Sequence, residues 1–123
     1  MARRILVVDD EPNIVTALEF LLGSSGYEVQ VARTGQEALD TLAAPPPDLV
    51  LLDVMLPVVS GYDVCRRMRE TPAWRGVKII MLTAKGREAE VQRGVENGAD
   101  LYVVKPFSTQ DLLRKVHALL PAA

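Results

Sequence analysis

Asp9, Asp10 and Glu11 stand together near the start of the chain, Asp53 stands alone in its middle, and Thr83 and Lys105 lie further on, each directly after an apolar run. Brought into one pocket, Asp9, Asp10 and Asp53 would repel each other, and at least one pKa would rise unless a cation intervened. Clustered anionic oxygens suit a hard divalent cation: Mg2+, with Mn2+ able to substitute. The one cysteine, Cys65, and the one histidine, His117, are far apart in sequence, which excludes a soft-metal site such as zinc. A hydroxyl at Thr83 and an ammonium at Lys105 beside such an ion match the oxygens of a phosphoryl group. A carboxylate can itself be the nucleophile and form an aspartyl phosphate. Asp53 fits that role, because it stands alone at a strand end opposite the Asp9–Asp10 pair, with the metal neutralising charge during in-line transfer.

These residues need elements to bring them together. Apolar runs of strand length recur at Ile5–Val8, Val29–Val31, Leu49–Leu52, Val77–Leu82 and Leu101–Val104. Four are nearly continuous in Val, Ile and Leu, as in parallel strands covered on both faces. The second, Glu28-Val29-Gln30-Val31, alternates and reads as an edge strand.

Helical patterns fill the gaps. Ile14, Leu18, Leu21 and Leu22 keep helical spacing, with Pro12 in the first turn and Gly26 as a stop. Thr34 and Glu37 form a capping box before Ala38, Leu39 and Leu42. Ser60 caps a third helix, which Asp63 favours electrostatically and whose apolar face is Val64, Cys65 and Met68. A fourth is expected from Arg87 to Asn97, stopped by Gly98. Ser108 and Asp111 open a fifth, with Leu112, Leu113, Val116 and Leu120 as its buried stripe. Five strands alternating with five helices predict an α/β fold, a parallel sheet with right-handed crossovers and helices on both faces.

In open parallel sheets ligands sit beyond the carboxyl ends of the strands. Four of the five predicted strands end in Asp9-Asp10-Glu11, Asp53, Thr83 and Lys105-Pro106, while the edge strand ends in Ala32-Arg33. Singly, an Asp after a strand is most often a turn residue or a cap, and Lys-Pro is a loop signal. It is the joint placement that points to a site.

At 123 residues the chain suits one domain, 1–123, with one core. Lys plus Arg is 14 and Asp plus Glu is 16, giving a net charge of −2. That balance argues against nucleic-acid binding over the whole surface. A single cysteine needs no oxidising compartment, and the apolar run before Asp9 is only four residues, Ile5 to Val8, too few for a signal or a membrane span. A soluble cytoplasmic domain is expected.

The segments Ile5-Leu6-Val7-Val8-Asp9-Asp10-Glu11, Asp48-Leu49-Val50-Leu51-Leu52-Asp53-Val54-Met55-Leu56-Pro57, Ile80-Met81-Leu82-Thr83-Ala84 and Gly98-Ala99-Asp100-Leu101-Tyr102-Val103-Val104-Lys105-Pro106-Phe107 resemble, in order and spacing, the receiver domain of bacterial two-component response regulators. The resemblance implies a doubly wound, flavodoxin-like sheet of order 2-1-3-4-5. It implies that Asp53 accepts a phosphoryl group from the phosphohistidine of a sensor histidine kinase or phosphotransfer protein. Asp10 and Asp53 would ligate Mg2+ with the backbone carbonyl of Met55, and Asp9 would act through water. Lys105 would pair with the phosphoryl oxygens, Thr83 would bond one of them, and small Ala84 would leave them room. The Lys105–Pro106 bond would be cis.

The family signals by a population shift, and the resemblance implies that Thr83 would move toward the phosphoryl group and Tyr102 would turn inward. The face built by the fourth helix, fifth strand and fifth helix would then meet a downstream protein partner, with a phosphorylation-dependent dimer as one outcome. Val58-Val59 stands where the family often has Gly and Met, and the two exposed valines are read as loop packing in preference to a docking patch. Met55 and Lys85 hold positions that tune phosphoryl lifetime in the family.

Other residues are read plainly. His117 is a surface cation near a helix end, Cys65 a small core residue, and Trp74 a packing residue of the Thr71–Gly76 loop. Arg66, Arg67 and Arg69 form a solvated helix face, and Arg3-Arg4 flanks strand one. Three other classes of function fit these residues less well. An aspartate-based Mg-dependent phosphatase needs an acid two residues after its nucleophile, where this chain has Met55. A fold-only interaction module would not need Asp10, Asp53, Thr83 and Lys105. A flavin module wants a phosphate-cradling loop where Asp9-Asp10-Glu11 stands.

Overall fold

The computed structural model describes residues 3–84 and 98–120. Five strands run β1 (Arg4–Val8), β2 (Glu28–Ala32), β3 (Leu49–Asp53), β4 (Lys78–Ala84) and β5 (Leu101–Lys105). Four described helices are α1 (Pro12–Ser24), α2 (Gly35–Leu42), α3 (Gly61–Glu70) and α4 (Thr109–Leu119). The helix expected from Arg87 to Asn97, and Lys85, lie outside the described residues. All strand pairs are parallel, in the order β2-β1-β3-β4-β5. This is the flavodoxin-like arrangement, and β2 with its alternating burial is an edge.

Period-two alternation splits the core into two layers. Leu6, Val8, Val50, Leu52, Ile79 and Met81 face α2 and α3, where Ala38, Leu42, Val64, Cys65 and Met68 meet them. Ile5, Val7, Leu49, Leu51, Ile80 and Leu82 face α1 and α4, packing on Leu18, Leu22, Leu112 and Val116. Strands buried on both faces cannot alternate with polar residues, which is why their sequence is continuously apolar. On α1 it is Val15 that is buried with Leu18 and Leu22, while Ile14 and Leu21 are half-buried.

The helix starts follow the capping residues. Thr34 Oγ1 accepts the Glu37 N–H at 3.0 Å, but the Glu37 carboxylate turns to the Arg33 N–H instead of closing the box on Thr34. The reciprocal box forms at α3, where Ser60 Oγ accepts from Asp63 N and Asp63 Oδ2 accepts from Ser60 N. Ser108 Oγ caps α4. No helix among the described residues is long and apolar enough to cross a membrane.

Candidate functional site

Because β1 and β3 are neighbours in the sheet, their ends deliver acids side by side. One carboxylate oxygen from each of Asp9, Asp10 and Asp53 lies within 4.8 Å of the others, with Asp9 and Asp53 buried and Asp10 exposed. Oxygen donors at that spacing fit a hard divalent ion and no soft one. Each buried acid is held by the turn that follows its strand. Asp9 Oδ1 accepts the Glu11 N–H at 2.9 Å, and Asp53 Oδ1 accepts the Met55 N–H at 3.1 Å.

Lys105 comes from the end of β5, two strands from β3. Its Nζ donates to Asp9 Oδ2 at 2.7 Å and lies 3.7 Å from Asp53 Oδ2. Both oxygens of Asp9 are therefore engaged, while Asp53 keeps Oδ2 free of any bond shorter than the Lys105 contact among the described residues. The Lys105–Pro106 peptide is cis.

Burial pushes the Asp53 carboxyl above its ordinary range, and nearby Asp9 and Asp10 push the same way, against Lys105 and the Met55 N–H. Burial works against the Lys105 ammonium, but the bond to Asp9 and the charge of Asp53 outweigh it and raise its pKa. The site thus holds a cationic lysine beside an acid whose charge burial penalises.

Thr83 lies one residue beyond Leu82, the β4 partner of Asp53. Its hydroxyl is buried and has no hydrogen-bond partner among the described residues. An unpaired buried hydroxyl is unfavourable unless a ligand oxygen or a second conformation satisfies it. Ala84 follows as an exposed small residue, paired in register with Lys105. Tyr102, on β5, is 39% exposed.

Sequence reasoning missed several supports. Gly61 starts α3 hard against the Asp53 carbonyl, where a Cβ would collide. The Ser60-Gly61 pair was its only signal. Val58 has φ +66° and is fully exposed at 102%, so it is not the loop packing expected of it, while Val59 does pack on the core. Nor does Arg69 belong to a solvated face. It donates to the carbonyls of Gly98, Arg75 and Val77 and pairs with Asp100 at 3.0 Å. Arg66 is half-exposed, with helix-surface ion pairs to Asp63 and Glu70. Cys65 is buried, and Trp74 packs on the core from a short 3-10 turn. His117 Nδ1 lies 2.7 Å from the Tyr27 hydroxyl, which itself donates to the Leu120 carbonyl.

Residues 5–117 match the family model described as response regulator receiver domain. The chain is 47% identical over 123 residues to the phosphate regulon transcriptional regulatory protein PhoB of Rhizobium meliloti (strain 1021), covering all of this chain and 54% of that protein. This chain thus spans about half the length of that curated relative. A protein from Chloroflexus aurantiacus J-10-fl described as a response regulator superposes with a TM-score of 0.94 at 38% identity, covering 98% of both chains. The receiver domain of a sensor histidine kinase from Pseudomonas aeruginosa PAO1, solved with a magnesium ion coordinated in its active-site cleft, superposes with a TM-score of 0.88. It is 32% identical and covers 97% of this chain and 98% of its own.

Proposed function

Because this chain belongs to the response regulator receiver domain family, a family of two-component signalling domains, we propose that it is a phosphorylation-controlled switch with Asp53 as phosphoacceptor. The donor is the phosphohistidine of a sensor histidine kinase or phosphotransfer protein. An Asp53 oxygen forms the new bond to phosphorus as the phosphorus–nitrogen bond breaks, and the electron pair of that bond stays on the histidine. The observation that carries this reading is the buried Asp53 carboxylate, facing Lys105 at 3.7 Å within the Asp9–Asp10–Asp53 cluster.

Mg2+, or Mn2+ in its place, would be held by Asp10, Asp53 and the Met55 carbonyl, and would neutralise charge on the transferring group. The full engagement of both Asp9 oxygens supports an indirect, water-mediated part for that residue. The magnesium ion of the Pseudomonas neighbour supports the choice of metal. Lys105 supplies a fixed cation to the phosphoryl oxygens, and the unpaired Thr83 hydroxyl supplies a hydrogen bond that it lacks in the resting state. Ala84 leaves room for the group.

Thr83 then moves toward the phosphoryl group, and Tyr102 turns inward. The face to which β5 and α4 contribute changes shape and meets a downstream protein partner, or a second copy of the chain. A lone buried cysteine suits work in the reducing cytoplasm. The domain assists its own phosphorylation and dephosphorylation but turns over no separate substrate.

The test is intact-mass measurement after incubation with Mg2+ and a small phosphodonor. Wild type gains one phosphoryl group, and Asp53→Ala gains none. Identical mass profiles would overturn the reading.

A further inference from the structure

Met81 pairs with Tyr102 and Thr83 with Val104, so Tyr102 and Thr83 project from the same face of the sheet on adjacent strands. Tyr102 is nevertheless 39% exposed at the surface. What it meets there is on α4. Lys115 Nζ lies 5.8 Å from the ring centroid and donates to the Tyr102 carbonyl at 3.2 Å. The same ammonium lies 3.3 Å from Asp111 Oδ2, one helical turn earlier. Asp111 is itself fixed by Arg114 at 2.6 Å.

Two of these three contacts do not depend on where the ring points. The Tyr102 carbonyl belongs to the strand backbone, and Asp111 belongs to the same helix as Lys115. They moor the ammonium above β5, and the ring is the one contact that an inward turn would forfeit. A ring with an electron-rich face is drawn to a cation held in this way.

We propose that Lys115 is a positioning residue of the switch: its ammonium, moored to the Tyr102 carbonyl and to Asp111, holds the Tyr102 ring outward and so sets the resting population. The proposal rests on the reading that Tyr102 turns inward when Asp53 is phosphorylated. An exposed cation–ring contact biases the outward-to-inward ratio by about two- to fivefold. Because coupling between sites is reciprocal, the bias that opposes the inward ring also opposes phosphorylation.

The test compares wild type, Lys115→Met and Lys115→Arg as full chains with ring-labelled tyrosine, by NMR, before and after treatment with Mg2+ and a small acyl phosphate. Methionine keeps the bulk of the stem without the charge, and arginine keeps the cation. Before treatment, Lys115→Met should raise the inward-to-outward ratio of Tyr102 about two- to fivefold, with Lys115→Arg close to wild type. A Lys115→Met ratio equal to wild type, or an arginine variant that behaves like methionine, overturns the proposal while leaving the switch intact. If the wild-type Tyr102 signal does not move although Asp53 carries phosphate, the switch reading fails and the proposal falls with it. A wild type that takes up no phosphate contradicts the phosphoacceptor reading itself.

Discussion

Lys105 Nζ sits 2.7 Å from Asp9 Oδ2 and 3.7 Å from Asp53 Oδ2, so the lysine is bonded to the fully buried acid rather than to the proposed phosphoacceptor. The pair neutralises Asp9, so the ammonium offsets part of the negative charge that the three acids gather. Removing one partner of such a pair leaves an uncompensated buried charge. Lys105→Met in chelator should therefore cost about 2–4 kcal/mol in urea unfolding. Mg2+ should restore more stability to the variant than it adds to wild type. Equal Mg2+ effects on the two proteins would show that Lys105 and the ion do not share a role.

Asp53 gives a pH signature. Its carboxyl is raised above the ordinary value of 3.8, first by burial. A raised acid contributes stability that is complete below its unfolded pKa and is lost as pH rises through the folded one. In chelator, Asp53→Asn should melt higher than wild type at neutral pH, and the gap should close as pH falls toward 3.8. A gap that stays constant with pH would mean that ionisation of Asp53 is not what burial penalises.

Thr83 separates stability from signalling. Replacing an unpaired buried hydroxyl by a methyl of similar shape is neutral or favourable. Thr83→Val should unfold at the same urea concentration or be more stable by about 0.5–1 kcal/mol, while its rate of phosphorylation by a small phosphodonor falls. A loss of stability would place a bond on the hydroxyl in the resting protein.

Val58 holds a left-handed conformation with no packing in return. That backbone costs a β-branched residue about 1–2 kcal/mol. Val58→Gly should stabilise the domain by about 1 kcal/mol net of glycine's extra unfolded-state entropy, as read by chemical denaturation. A destabilised variant would reveal contacts for the valine side chain.

Arg69 should behave as a core residue despite its charge. Arg69→Met leaves the carbonyls of Gly98, Arg75 and Val77 and the Asp100 carboxylate without their donor, which should cost about 2–3 kcal/mol. Arg66→Met, at a helix surface, should cost less than about 0.5 kcal/mol.

What sequence could reveal divides along physical lines. The strands were legible because a sheet covered on both faces writes itself as unbroken Val, Ile and Leu, and their ends were legible because Asp9, Asp53 and Lys105 interrupt those runs abruptly. The site followed from topology, since strand ends on one rim must meet. Partner choice within the site did not follow. Nothing in the spacing says that Lys105 bonds Asp9 before Asp53. Arg69 was misread because a helix-face arginine looks the same in sequence whether water or four carbonyl and carboxylate oxygens surround it. Val58 was misread because a positive φ leaves no trace when the residue is not glycine.

The order β2-β1-β3-β4-β5 sets the acids on inner strands, while β5, which bears Tyr102, ends the sheet. Inner strands are clamped by ladders on both flanks, so the acid cluster has a stiff foundation. A terminal strand is stitched along a single flank and can adjust at low cost. The acids therefore rest on rigid ground, while Lys105 and Tyr102 share the compliant border, so one pliable strand carries both the cation of the cluster and the aromatic of the outer face.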